Sequence, residues 1–145
     1  MVGAPYQTID NLVEDFLFLK ELNPQMVGIG PFISHKDTPF KDEKNGTLED
    51  TLFYLALLRL MLPKVLLPAT TALGTIHPEG RELGILSGAN VIMPNLSPLS
   101  VRKKYLLYDD KIGTEHETAE TLAEIKERMN KIGCQVVTDR GDYKE

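Results

Sequence analysis

Residues 26–33 read MVGIGPFI, a near-continuous apolar stretch bounded on both sides by turn-forming residues. A strand without alternation of apolar and polar residues is typical of a parallel sheet that is covered on both faces. Three further stretches are predicted as strands: residues 1–4, as the end of a strand, residues 65–71 and residues 90–93. Because helical patterns separate these stretches, the sequence predicts an α/β unit with about four parallel strands alternating with helices.

The predicted helices begin and end at recognisable capping residues. They run from Thr8 to about Leu22, from Thr47 to Pro63, from Gly80 to near Gly88, from Ser97-Pro98 through Tyr105 and Tyr108, and from about Thr118 to Ile132. In the last helix, Glu124 with Arg128 and Glu127 with Lys131 have the spacing of i,i+4 ion pairs. Residues 70–71 are expected to lead into a polar turn.

Length and charge limit the classes of function. The chain has 145 residues, which is enough for one domain, and a formal net charge of -5 without a basic stripe. That charge argues against binding nucleic acid through its phosphates or adhering to an acidic membrane surface. No apolar run reaches the roughly 18 residues of a membrane span, and there is no leader pattern, so a cytoplasmic location is expected.

The sequence offers little for a metal site. Cys134 is the single cysteine, and it cannot supply several thiolates by itself. His35, His77 and His116 are scattered in polar loops without the spacing of metal ligands. We therefore expect no metal to be held by this chain.

The densest group of polar side chains is PATTALGT at residues 68–75, which follows the third predicted strand. Ligands of parallel α/β folds bind where strands end, so this segment predicts a ligand-binding edge. The alternative is that Thr70 and Thr71 only turn the chain and cap a helix.

Four more side chains near this edge have two interpretations each. Arg81 could bind an anion, although pairing with Glu79 or Glu82 is favoured. Tyr105 and Tyr108 could hold an aromatic or ribose group, or pack one helix face. Met93 could pack on an adenine ring or fill the core.

The segments at residues 68–75, 80–82 and 87–95 resemble the biotin-synthase-like branch of the radical S-adenosylmethionine (SAM) enzymes. GRE at residues 80–82 and GANVIM at residues 88–93 are similar to the region shared with biotin synthases. ATTALGT at residues 69–75 and the spacing to the two tyrosines look most like the FeFe-hydrogenase maturases of the HydE type. The resemblance covers almost the whole chain.

This resemblance implies a C-terminal half of a radical SAM TIM-type barrel over residues 1–145, including the biotin/thiamin-synthesis-associated region, with a disordered tail at about residues 141–145. The complete parent would use SAM and a [4Fe–4S] cluster held by a CxxxCxxC motif. The implied SAM-binding residues are Ile33, Met93, Tyr105 and Tyr108, and the implied substrate-cavity residues are Thr70, Thr71 and Met93. The implied partners are the missing N-terminal half of the barrel and other hydrogenase maturases.

The chain departs from the family pattern at the cluster motif. CxxxCxxC is absent, so this chain alone is expected to carry no catalytic residue, to bind neither SAM nor a cluster tightly, and not to catalyse. Gly113, Thr121 and Glu124 stand where some relatives have cysteines for an accessory cluster. A strand's end at residues 1–4 fits a piece of a longer protein or a start at an internal methionine. Two alternatives remain open: part of a biotin-synthase-like sulfur-insertion enzyme, and a non-enzymatic half-barrel that dimerises through its open sheet edges.

Overall fold

The computed structural model of the chain describes residues 1–94, 98–102, 104, 108, 118–138 and 140–143. The helices in these ranges are α1 (Ile9–Leu22), α2 (Leu48–Met61), α3 (Thr71–Ile76), α4 (Gly80–Leu86), α5 (Leu99–Arg102) and α6 (Thr118–Lys131). Several residues singled out from the sequence lie outside the described residues: Ser97, Tyr105, Gly113 and His116. None of the helices in the described ranges is long and apolar enough to span a membrane.

Four helices confirm the sequence predictions closely. Thr8 caps α1, since its side chain accepts a hydrogen bond from the backbone N–H of Asn11. Thr47 caps α2 through the N–H of Asp50. Helices α4 and α6 also lie within a residue or two of their predicted bounds.

Two predictions about local structure are wrong. The segment at residues 65–71, predicted as a strand that leads into a polar turn, instead leads into α3, which begins at Thr71. The alternative that Thr70 caps a helix is confirmed, because its side chain accepts a hydrogen bond from the Leu73 N–H. After Pro98 the described helix is Leu99–Arg102, and Tyr108 lies in a bend. Tyr108 therefore does not lie on a helix face.

The predicted strands are not formed as ladders in the described part of the chain. Extended segments are instead joined by three isolated parallel bridges, Val2 to Pro31, Met26 to Leu66, and Pro68 to Val91. Pro31 and Pro68 lack the N–H that would extend a ladder, which gives a physical reason for the short pairing. The bridges join consecutive segments in chain order, as in a series of βα units.

Backbone hydrogen bonds flank each bridge. The Val2 N–H donates to Gly30, and the Phe32 N–H donates back to Val2 at 2.7 Å. The next two pairs of segments are joined in the same way, through Val27 and Leu66 and through Ala69 and Val91. The apolar core lies between these segments and the helices. Its most deeply buried side chains are Leu55, Leu58, Leu67 and Leu73.

Helix α6 is attached to α4 by an ion pair that local spacing did not predict. Arg128 donates through Nε and Nη2 to the carboxylate of Glu82, with Nη2 at 2.7 Å from Oε2, and also donates to the carbonyl of Pro78. The predicted pairing of Arg128 with Glu124 is therefore wrong, because the guanidinium is taken by the buried Glu82. The predicted Glu127–Lys131 pair is present at 2.8 Å.

Candidate functional site

The candidate site lies where the parallel segments end. All three bridges are parallel, so the carboxyl ends of these segments meet at one edge of the fold. Ile33 follows the second segment, Thr70 the third and Met93 the fourth. Two of these segments approach closely, since a Cβ built on Gly30 would lie 2.8 Å from Oγ1 of Thr70. The glycine thus permits the contact that brings residue 30 against Thr70.

Thr70 and Thr71 differ in what their hydroxyls do. The Thr70 hydroxyl accepts the hydrogen bond from the Leu73 N–H that begins α3. The Thr71 hydroxyl has no hydrogen-bond partner among the described residues, although Thr71 is half-buried and its carbonyl accepts from the hydroxyl of Thr75. The Thr70 hydroxyl thus has one acceptor position occupied, whereas the Thr71 hydroxyl has none occupied among the described residues.

A cleft of about 590 Å³ opens at this edge between the N-terminus of α2 and the end of α3. Apolar and polar groups both line it: Ile33, Ser34, Asn45, Gly46, Thr47, Leu48, Glu49, Thr75, Ile76 and His77. Ile33 is one of the residues that line the cleft, and its role beside a ligand stays a prediction. Met93 is 56% exposed, so it does not fill the core as the alternative interpretation required.

Tyr108 lies beside the cleft through its contact with Thr75. The two side chains are hydrogen bonded, which acts to lower the pKa of the tyrosine, while burial has the larger effect and raises that pKa. The nearby charge of Arg81 also acts to lower it. Thr75 belongs to the polar segment at residues 68–75, but its hydrogen bond with Tyr108 joins residues 33 positions apart and could not be predicted from spacing.

Arg81 does not form the predicted ion pair with Glu79 or Glu82. The carboxylate of Glu82 accepts hydrogen bonds from the guanidinium of Arg128. Nε of Arg81 is buried without a hydrogen-bond partner in the described part of the chain. Burial lowers the pKa of Arg81, and the neighbouring Arg128 lowers it further. The favoured prediction for this residue is wrong.

The histidines in the described ranges have local partners. His35 lies 3.9 Å from a carboxylate oxygen of Asp37, and Nδ1 of His77 accepts a hydrogen bond from the Glu79 N–H. Among the described residues, no group of three or more His, Cys, Asp and Glu side chains could hold a metal ion. A [4Fe–4S] cluster needs several thiolates, and Cys134 is the single cysteine of the sequence. The residues of this chain therefore do not fit such a cluster.

Comparison with known proteins shows which proteins this chain is similar to. No family model matches the chain. The chain is 58% identical over 112 residues to the [FeFe] hydrogenase maturase subunit HydE of Thermotoga maritima, which is 77% of this chain and 32% of that protein. The resemblance to radical SAM enzymes of the HydE type is confirmed.

Two further relatives match the chain at lower identity. Two 3-methylornithine synthases, from Methanosarcina barkeri and Methanosarcina acetivorans, are 32% and 30% identical to this chain over 60% and 58% of its length. The matches cover 24% and 23% of those proteins. The chain thus spans about a third of the length of the HydE relative and about a quarter of the length of the synthases.

Proposed function

We propose that this chain supplies the C-terminal half of a radical SAM barrel similar to the HydE-type maturases, and that its carboxyl edge shapes the SAM and substrate cavity. The observation that carries the proposal is the 58% identity to the HydE subunit over 112 residues. The parallel bridges in chain order and the cleft beside Ile33 support it, because barrel enzymes bind ligands at this edge.

The cleft fits the nucleoside part of SAM in size and chemistry. Ile33 and Ile76 offer apolar surface to an adenine, and the hydroxyl of Ser34 offers a hydrogen bond to a ribose. Exposed Met93 adds a polarizable side chain at the same edge. When bound and reductively cleaved, SAM supplies a 5′-deoxyadenosyl radical; this chain orients the cofactor and excludes water from it.

In this proposal, the Thr71 hydroxyl contacts the substrate, and the Thr70 hydroxyl stabilises the start of α3. The Thr70 oxygen is used by the α3 cap, whereas the Thr71 hydroxyl is available to donate or accept a hydrogen bond. Tyr108, bonded to Thr75, closes the adjacent side. Tyr105 is assigned beside SAM by family resemblance alone.

A second part of the barrel is required for catalysis, because this chain lacks CxxxCxxC. The side of α1 next to residue 1 offers a surface for that part. There a cavity of about 260 Å³ is lined by Met1, Phe18 and the Val27–Ile29 segment, and Met1 and Phe18 are largely exposed. Covering this surface would bury apolar area now in water.

A chimera tests the substrate class. The whole 145-residue chain replaces the segment of the Thermotoga maritima HydE protein that it matches, and hydrogenase maturation is measured in a reconstituted system. We expect maturation to be retained and to fall at least about tenfold for Thr71→Val, since one hydrogen bond to a reacting ligand is worth roughly that. A chimera that binds its cluster and cleaves SAM but supports biotin formation in place of maturation would favour the sulfur-insertion alternative.

A further inference from the structure

A second apolar surface lies next to the Met1–Phe18 cavity, with which it shares Leu12 and Phe16 of α1. It is a groove of about 220 Å³ between α1 and α2. Its lining is almost wholly apolar: Ile9, Leu12, Val13, Phe16, Leu17, Tyr54, Leu57 and Met61. The ring centroids of Phe16 and Tyr54 lie 5.6 Å apart across its floor.

The groove has an exposed wall and a buried floor. Leu12 and Phe16 point to the core and are buried, whereas Ile9 and Leu17 are 73% and 60% exposed. Ile9, Val13 and Leu17 are four residues apart, so they form one continuous stripe along the outside of α1. Phe18 and Leu22 lie on the other flank. Phe18 lines the Met1–Phe18 cavity and does not line the groove.

Acidic side chains border this stripe. Asp10, Glu14 and Glu21 are exposed and, with Leu17, follow spacings of four, three and four residues, which places them on one face beside the groove. Asp50 in the first turn of α2 is a further carboxylate, and it accepts a hydrogen bond from the Thr47 hydroxyl. Lys20 is the single basic residue of α1.

We propose that the α1–α2 groove is a docking site for an amphipathic helix of another protein, one whose apolar stripe is flanked by lysine or arginine. The apolar floor and exposed stripe fit the apolar face of a helix. The row of carboxylates on the rim complements a basic flank and disfavours an acidic one. A second copy of this chain is the less complementary occupant, because its own α1 would bring the same carboxylates to the interface. This proposal does not depend on the proposed function, since the groove lies away from the carboxyl edge.

The test uses two synthetic peptides with the same leucine-rich helical face, one flanked by lysines and one by glutamates. Each is dye-labelled and titrated with the 145-residue chain while fluorescence anisotropy is measured. We expect the lysine peptide to bind at least about tenfold more tightly than the glutamate peptide, and its affinity to fall as salt rises. Equal affinity of the two peptides, or no binding of the lysine peptide, would overturn the proposal.

Matched variants locate the binding. Val13→Lys places a charge in the groove and should abolish binding, whereas Val137→Lys places the same charge at an exposed valine outside it and should leave binding unchanged. Asp10→Lys with Glu14→Lys changes only exposed rim positions and should reverse the peptide preference. Binding that is the same in Val13→Lys and Val137→Lys contradicts the site. A dimer of the unmodified chain that Val13→Lys converts to monomer in light scattering contradicts the occupant.

Discussion

Thr70 and Thr71 are adjacent residues of the same type with different tasks. Because the Thr70 oxygen caps α3, Thr70→Ala should lower the free energy of unfolding by about 1 kcal/mol. Thr71→Ala removes a hydroxyl without a partner among the described residues and should change it by no more than about 0.5 kcal/mol. Urea unfolding followed by circular dichroism measures both. Equal losses in the two variants would show that the distinction between framework and ligand threonine is mistaken.

Tyr108 is expected to make the stability of the protein depend on pH. Burial raises its pKa above the ordinary value of 10.0, so the folded protein holds the phenolic proton more tightly than the unfolded chain does. The resulting stabilisation is fully present below pH 10.0 and is lost as pH rises through the higher pKa of the folded state. Tyr108→Phe should therefore weaken the fall in the free energy of unfolding above that pH.

The control for Tyr108 is Tyr6→Phe, which removes the hydroxyl of an exposed tyrosine. The free energy of unfolding is measured by urea titration on both sides of the ordinary tyrosine pKa. A pH dependence that Tyr108→Phe leaves unchanged would contradict the role of burial at this residue.

At the scale of elements, the Glu82–Arg128 pair fixes α6 on α4. Glu82 is buried, and a carboxylate left there without its partner is costly, so Arg128→Ala should lower the free energy of unfolding by about 2 kcal/mol. Lys131→Ala is the matched control because the Glu127–Lys131 pair lies at the surface, and it should cost less than about 0.5 kcal/mol. Urea unfolding tests the difference, and a double-mutant cycle with Glu82→Ala isolates the coupling. If Arg128→Ala and Lys131→Ala lowered the free energy of unfolding by similar amounts, the Glu82–Arg128 pair would not be what fixes α6 on α4.

Gly46 packs the loop before α2 onto the first two segments. A Cβ on Gly46 would lie 2.2 Å from the carbonyl oxygen of Val2 and 3.0 Å from the N–H of Phe32. Gly46→Ala should therefore lower the free energy of unfolding by about 3 kcal/mol. Gly28→Ala is the control, since nothing lies within 4 Å of its Cβ, and its effect should stay within about 1 kcal/mol. Thermal unfolding ranks the two variants, and a Gly46→Ala protein as stable as the parent would show that this packing is wrong.

Local patterns predicted the elements well and their pairing poorly. Thr8 and Thr47 start helices because capping depends on the next three residues, which a sequence shows directly. Pairing between distant residues is different: Arg128 forms its ion pair with Glu82, which is 46 residues away along the chain, and not with the nearby Glu124. Likewise, the apolar residues 26–33 predicted an extended segment, but two prolines at bridge positions limited its pairing.

At the scale of the whole molecule, the family resemblance supplied more of the predicted site residues than the spacing of residues along the chain did. Residues 68–75 indicated a ligand edge, and the parallel bridges are consistent with that edge. The division of labour between Thr70 and Thr71 and the place of Thr75 depend on which hydroxyl faces which neighbour in space. Such contacts are set by tertiary packing, so spacing along the chain could not predict them.

The two apolar surfaces beside α1 are expected to differ in exposure once the chain is part of a larger barrel. The flank with Met1 and Phe18 should be covered when the chain is part of a larger barrel, whereas the α1–α2 groove should stay exposed. Phe18→Lys should therefore impair assembly of the chimera, and Val13→Lys should not. Size-exclusion chromatography and circular dichroism of the two chimeras measure this. Equal disruption by both variants would contradict the separation.

Reductive cleavage of SAM by the chimera tests the central claim most directly. The chimera, in which the whole 145-residue chain replaces the matched segment of the Thermotoga maritima HydE protein, is reconstituted with its iron–sulfur cluster, reduced without oxygen and supplied with SAM. If the carboxyl edge of this chain shapes a working SAM cavity, the chimera forms 5′-deoxyadenosine, and Ile33→Asp sharply reduces its formation while Val137→Asp does not. A folded chimera that holds its cluster and forms no 5′-deoxyadenosine would contradict the account.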